Sequence, residues 1–209
     1  MPPSLWESNL EEFRGNVASS DTSIAAVAVA TVSAASALGL IVMVLEVVGK
    51  RKDFKGDRHR LEALVEAARE ESDRLARYAD EDPAAYAAFM RARQLPKNTD
   101  EERHARSRAM AAALRRATDV PLAAARTAVA GLNICAEAAE MAHGAVATDL
   151  GGAAMLLAGA IRAMLLSVDS NLAALGESEY ADQVAAERGD LEAAAARQEI
   201  AVRKKVATL

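Results

Sequence analysis

Cysteine is almost missing from this chain. Cys135 is the only one in 209 residues, so no internal disulfide can form. A lone thiol fits a reducing compartment, and in a helical pattern it reads as a small buried apolar residue rather than a nucleophile. Aromatics make up only 3% of the chain, which disfavours a β architecture. The three histidines, His59, His104 and His143, lie far apart with no Cys or carboxylate at zinc spacing, so no metal is expected. No glycine-rich phosphate loop and no nucleophile elbow occurs. The net charge of −5 implies no basic face for nucleic acid. The N-terminal run MPPSLWESNLEEF has neither a basic n-region nor an apolar h-region, so a signal peptide is not expected.

Hydrophobic residues are abundant, at 52%, and alanine dominates them. That mix favours helices packed closely through small side chains. The organising stretch is Thr22 to Leu45, TSIAAVAVATVSAASALGLIVMVL, which carries no charge. As a helix it would run roughly 36 Å, long enough to cross a bilayer. Its Ala, Ser and Thr content, the lack of a Trp or Tyr belt, and the amphipathic helices elsewhere favour a buried core helix, so no membrane association is expected. A second apolar stretch, Leu150 to Leu175, is again rich in Gly and Ala. Two such helices would pack against each other or across a dimer interface.

Around them the pattern predicts amphipathic and charged helices. Ser4 with Glu7, and Thr99 with Glu102, have capping-box spacing. Asp57 opens a helix with Leu61, Leu64, Val65, Ala68, Leu75 and Tyr78 on one face. Asp82-Pro83 predicts a cap followed by a restart, and Pro121 a kink or a new helix. Thr148 or Asp149 should cap the second apolar helix. The expected fold is all-α: six or seven helices in one antiparallel bundle spanning 1–209.

Polar residues collect at the ends of the two apolar helices. Glu46 and Asp169 interrupt apolar runs, where a carboxylate is either near water or paired. Lys50-Arg51-Lys52 follows Gly49 at a helix C-terminus, where it is either a solvated end or an anion site.

Several stretches resemble the cyclodeaminase/cyclohydrolase family: DPAAYAAFMRARQLPKNTDEER (Asp82 to Arg103), ATDVPLAAA (Ala117 to Ala125), TDLGGAAMLL (Thr148 to Leu157) and SVDSNLAAL (Ser167 to Leu175). The family includes methenyltetrahydrofolate cyclohydrolases and the cyclodeaminase domain of formiminotransferase-cyclodeaminase. The resemblance implies a cytoplasmic, all-helical homodimer with no tightly bound cofactor, acting on a one-carbon unit carried by tetrahydrofolate. It implies Asp149 as the carboxylate near the reacting carbon, Lys50 and Lys52 as holders of folate carboxylates or water, and Asn171 as a pterin contact.

The chain also departs from the family. Val17 to Ser23 replaces a Pro- and Gly-rich loop, leaving Asp21 and Thr22 as the substrate contacts expected there. Leu45-Glu46-Val47 replaces an Asn-Leu-Thr run, and His143-Gly144-Ala145 an Asn-rich turn. Two other functions therefore stay open. One is the same fold turned to cyclisation, hydration or deamination of another small molecule, with Glu46, His143 and Asp169 as acid–base groups. The other is a non-catalytic dimeric relative.

Overall fold

The computed structural model describes residues 4–20 and 24–208, and among them there are six α-helices, two 3-10 turns and no strand. The helices are α1 (Leu10–Val17), α2 (Ala26–Lys50), α3 (Arg58–Arg93), α4 (Asp100–Ala139), α5 (Ala147–Leu175) and α6 (Glu179–Val206). Helices α2, α3, α4 and α5 form a ring in which each packs on the next and α5 returns to α2; α6 lies against α4 and α5.

The core of the ring sets large aliphatic side chains among many alanines. Leu38, Ile41 and Leu45 of α2 meet Leu132 of α4 and Leu157 and Ile161 of α5, all fully buried. A Cβ placed on Gly131 would stand 3.0 Å from Leu38 Cδ2, so glycine lets α4 approach α2 closely. The hydroxyls within α2 are satisfied inside the helix. Ser33 donates to the Val29 carbonyl at 2.8 Å and Ser36 to the Val32 carbonyl at 2.9 Å. Thr31 bonds to the Val27 carbonyl in the same way. Back-bonding of this kind lets hydroxyls sit in an apolar helix without leaving an unpaired polar group.

Two α-helix starts are set by their predicted caps. Asp57 accepts from the Arg60 amide, and Thr99 and Glu102 form a reciprocal capping box. Ser4 caps only a 3-10 turn, and its hydroxyl donates to Asp80 at 2.6 Å, pinning the N-terminal segment to α3. Helix α1 starts separately, on an Asn9–Glu12 capping box.

Two expected breaks are absent. Helix α3 runs straight through Pro83, so Asp82 is an interior residue and not a cap. Helix α4 runs through Pro121. A proline cannot donate to the carbonyl four residues earlier, which leaves the Ala117 carbonyl short of a partner. Asn171 Nδ2 of α5 donates to that carbonyl at 2.9 Å and repairs the gap. Helix α5 begins at Ala147, ahead of the predicted cap, so Asp149 lies in its first turn.

Helices α2 and α5 are antiparallel. The start of α2 meets the end of α5 near Ser167 and Asn171. The end of α2 meets the turn carrying Glu140, Met141 and His143, which leads into α5. Apart from the end of α1 at Val17, no described helix covers their outer faces. Met43 and Val47 of α2, and Met155, Leu156 and Leu166 of α5, are exposed there. A shallow groove of about 590 Å³ runs between the two, lined by Val17, Val29, Ser33, Met155, Leu156 and Ala163 among others and, among the described residues, by no charged one. Both α2 and the segment Gly144–Leu175 are long and apolar enough to cross a membrane; 56% and 50% of their most apolar windows are buried inside the fold.

Candidate functional site

The expected site residues fall at two opposite ends of the α2–α5 pair. Asp21 and Thr22 lie outside the described residues. Glu46, Lys50, Lys52, His143 and Asp149 occupy the end where α2 stops and α5 begins. Asp169 and Asn171 occupy the end where α5 stops. The 25 residues of α2 separate these ends by roughly 35 Å at about 1.5 Å per residue.

At the first end, charge is plentiful and largely in contact with water. Glu46 accepts from Arg69 of α3 at 2.5 Å and lies 3.6 Å from Lys50. Its place in an apolar run is thus explained by a tie from α2 to α3. Arg51 pairs with Asp53 at 3.1 Å, and this guanidinium, more than anything else, holds the Asp53 carboxyl below its ordinary range. Arg58 donates to the Gly49 carbonyl at 2.9 Å, where the α2 dipole is negative. A cavity of about 280 Å³ opens here, lined by Arg51, Asp53, Phe54, Lys55, Glu140 and His143 among others. Lys52 is exposed and Asp149 half-buried, and neither forms an ion pair or hydrogen bond with another described residue.

The second end is built differently. A cavity of about 280 Å³ is lined by Ala25, which precedes α2, Ala26 and Val27 of α2, Asp82 and Tyr86 of α3, Ala117 of α4, and Ser167 and Asn171 of α5. Asp169 does not line it. Its carboxylate grips Arg188 of α6 through two bonds of 2.8 Å, and Glu192 adds a further contact to the same guanidinium. Asn171 spends one N–H on the Ala117 carbonyl and also lines the cavity.

Asp82 is the residue that sequence reasoning missed. It makes no hydrogen bond or ion pair to a described residue, and burial pushes its carboxyl up to about 6. The signal was present in the spacing. Leu75, Ala79, Asp82 and Ala85 recur at three- and four-residue intervals, so Asp82 lies on the inward stripe of α3. Cys135 is buried, its Sγ is 3.4 Å from the Leu150 carbonyl, and burial pushes its thiol up to about 12; it is a core residue. Among the described residues, no three His, Cys, Asp or Glu side chains gather where they could hold a metal ion.

The sequence profile of the formiminotransferase-cyclodeaminase family matches residues 9–190. The chain belongs to this family. Its sequence is 32% identical over 179 residues to the methenyltetrahydrofolate cyclohydrolase of Methylorubrum extorquens, covering 83% of this chain and 84% of that protein. It is 29% identical over 181 residues to the formimidoyltransferase-cyclodeaminase of Sus scrofa, covering 87% of this chain and 34% of that longer protein. The crystal structure of formiminotetrahydrofolate cyclodeaminase from Thermotoga maritima superimposes with a TM-score of 0.87 over 98% of both chains, at 24% identity. That likeness shows a shared helical fold.

Proposed function

We propose that this chain is a tetrahydrofolate one-carbon enzyme of the methenyl-tetrahydrofolate cyclohydrolase or formimino-tetrahydrofolate cyclodeaminase type, working in the cytoplasm. The observation that carries this is the match to a methenyltetrahydrofolate cyclohydrolase across 84% of that protein's length. Both chemistries make or break a C–N bond at an amidinium-like carbon, which is cationic. Such a reaction needs a carboxylate to stabilise the cation and a group to move protons.

The two ends of the α2–α5 pair suit different parts of a folate. Lys50, Lys52 and Lys55 stand at one end, where folate carboxylates would be held. Among the described residues, the cavity at the other end has no cation in its lining, so a cationic carbon meets no repulsion from them there. One protomer cannot bring these ends together. The uncovered α2–α5 face supports a homodimer, since an apolar face of this length is an association surface. A two-fold axis perpendicular to α2 sets the basic end of one protomer beside the neutral cavity of the other. In that arrangement Asp149, unpaired in the first turn of α5, faces across the interface and stabilises the cationic carbon without moving a proton.

The test is direct. Purified protein should consume methenyl-tetrahydrofolate faster than the uncatalysed rate, or release ammonia from formimino-tetrahydrofolate. Sedimentation should give a dimer. Loss of neither substrate above background would reject the proposal, and a fully active monomer would reject the shared site.

A further inference from the structure

We propose that Asp82 is the proton-transfer group of the one-carbon reaction, working from the wall of the cavity between α2, α3 and α5. This rests on the folate reading above and adds to it a residue with a distinct task.

Three observations converge on the side chain. First, Asp82 has no partner: it forms no ion pair or hydrogen bond with a described residue, whereas Glu46 and Asp169 are each held by an arginine. An unpaired carboxylate facing a cavity is costly unless the cavity has use for it. Second, the groups around it are neutral hydrogen-bonding ones. Ser167 and Asn171 come from α5 and Tyr86 from the next turn of α3, while, among the described residues, the start of α2 and α4 contribute only alanines and Val27. Among the described residues, Tyr86 is the only other titratable side chain in the lining. Third, burial alone raises its carboxyl to about 6, close to the pH at which a group can both take and return a proton.

The hydrolytic branch shows what the residue would do. Water adds to the cationic carbon, forming a C–O bond, and its proton passes to the Asp82 carboxylate. The carboxylic acid then gives that proton to the departing ring nitrogen as the C–N bond breaks. The regenerated carboxylate takes the hydroxyl proton of the intermediate as the carbonyl forms, and releases it to solvent. One water is consumed and one proton leaves, which matches the loss of the substrate's positive charge. No oxidant or reductant is involved. In the deaminating branch a ring nitrogen bonds to the formimino carbon, and the same group protonates the amino nitrogen so that its C–N bond breaks and ammonia departs.

Asp82→Asn tests this against the electrostatic role given to Asp149. With wild-type activity first established on either folate, kcat of the Asp82→Asn variant should fall by about 10²–10⁴-fold with KM little changed. The limb of the pH–rate profile near 6 should disappear. Asp82→Glu should recover part of kcat and keep a limb. Asp149→Asn should lower kcat while leaving that limb in place. An Asp82→Asn enzyme with kcat within about 3-fold of wild type, or with the limb intact, overturns the proposal and leaves the folate reading standing. A wild-type protein inactive on both folates removes the reading and this inference together.

Discussion

The two ends of the α2–α5 pair hold carboxylates of the same chemical type in opposite conditions. At the end of α2, Glu46 lies between Arg69 and Lys50 and is half-buried, in contact with water. At the far end, Asp82 stands alone in the wall of a cavity. The difference is one of neighbours and water, not of residue identity. A paired, wetted carboxylate is a tie between helices and contributes little. An unpaired, partly buried one is a standing cost, so it is the group whose protonation responds to what occupies the cavity.

The comparison can be broken most forcefully through activity. Asp149→Asn should lower kcat by about 10²–10³-fold if it stabilises developing charge from the basic end, and the pH limb assigned to Asp82 should survive. Steady-state rates across pH check both halves of that statement.

Next comes stability. The folded Asp82 carboxyl sits at about 6, above its ordinary 3.8. The folded state therefore holds the proton more tightly than the unfolded state. Its penalty is absent below about 4, grows as pH rises from there to 6, and stays constant above. Asp82→Asn removes the penalty, so the variant should be more stable than wild type at pH 8, by at most about 3 kcal/mol. At pH 3.5 the two should coincide. Urea unfolding at the two pH values measures this.

Asn171→Ala should destabilise by about 1–3 kcal/mol, because it strands the Ala117 carbonyl beside Pro121. The smallest effect belongs to the basic end. Glu46→Ala should change stability by about 1 kcal/mol or less, and added salt should shrink even that. A larger loss at Glu46 than at Asn171 would invert the contrast between the ends.

The helical architecture was legible because its signals are local. Charge-free Thr22 to Leu45, the Thr99–Glu102 box and the Asp57 cap each act within a few residues. The prolines were misjudged for a physical reason. Pro83 and Pro121 each forfeit one hydrogen bond, and packing along helices of 36 and 40 residues outweighs that loss. Asp82 was hidden by the same misjudgement, since a cap before a proline needs no other explanation. The candidate residues themselves were visible as polar interruptions, but their division between two ends was not. Antiparallel pairing of α2 with α5 places the start of one beside the finish of the other, and only the folded chain shows which residues share an end.

The amide of Asn171 has a mechanical corollary. It fastens the wall of the Asp82 cavity to the one point on α4 where the helix lacks an internal rung. Sliding α5 to admit a large guest would pull on that weak link first. The doorway and the flexure point of α4 are therefore one joint, and loosening either should be felt at the other.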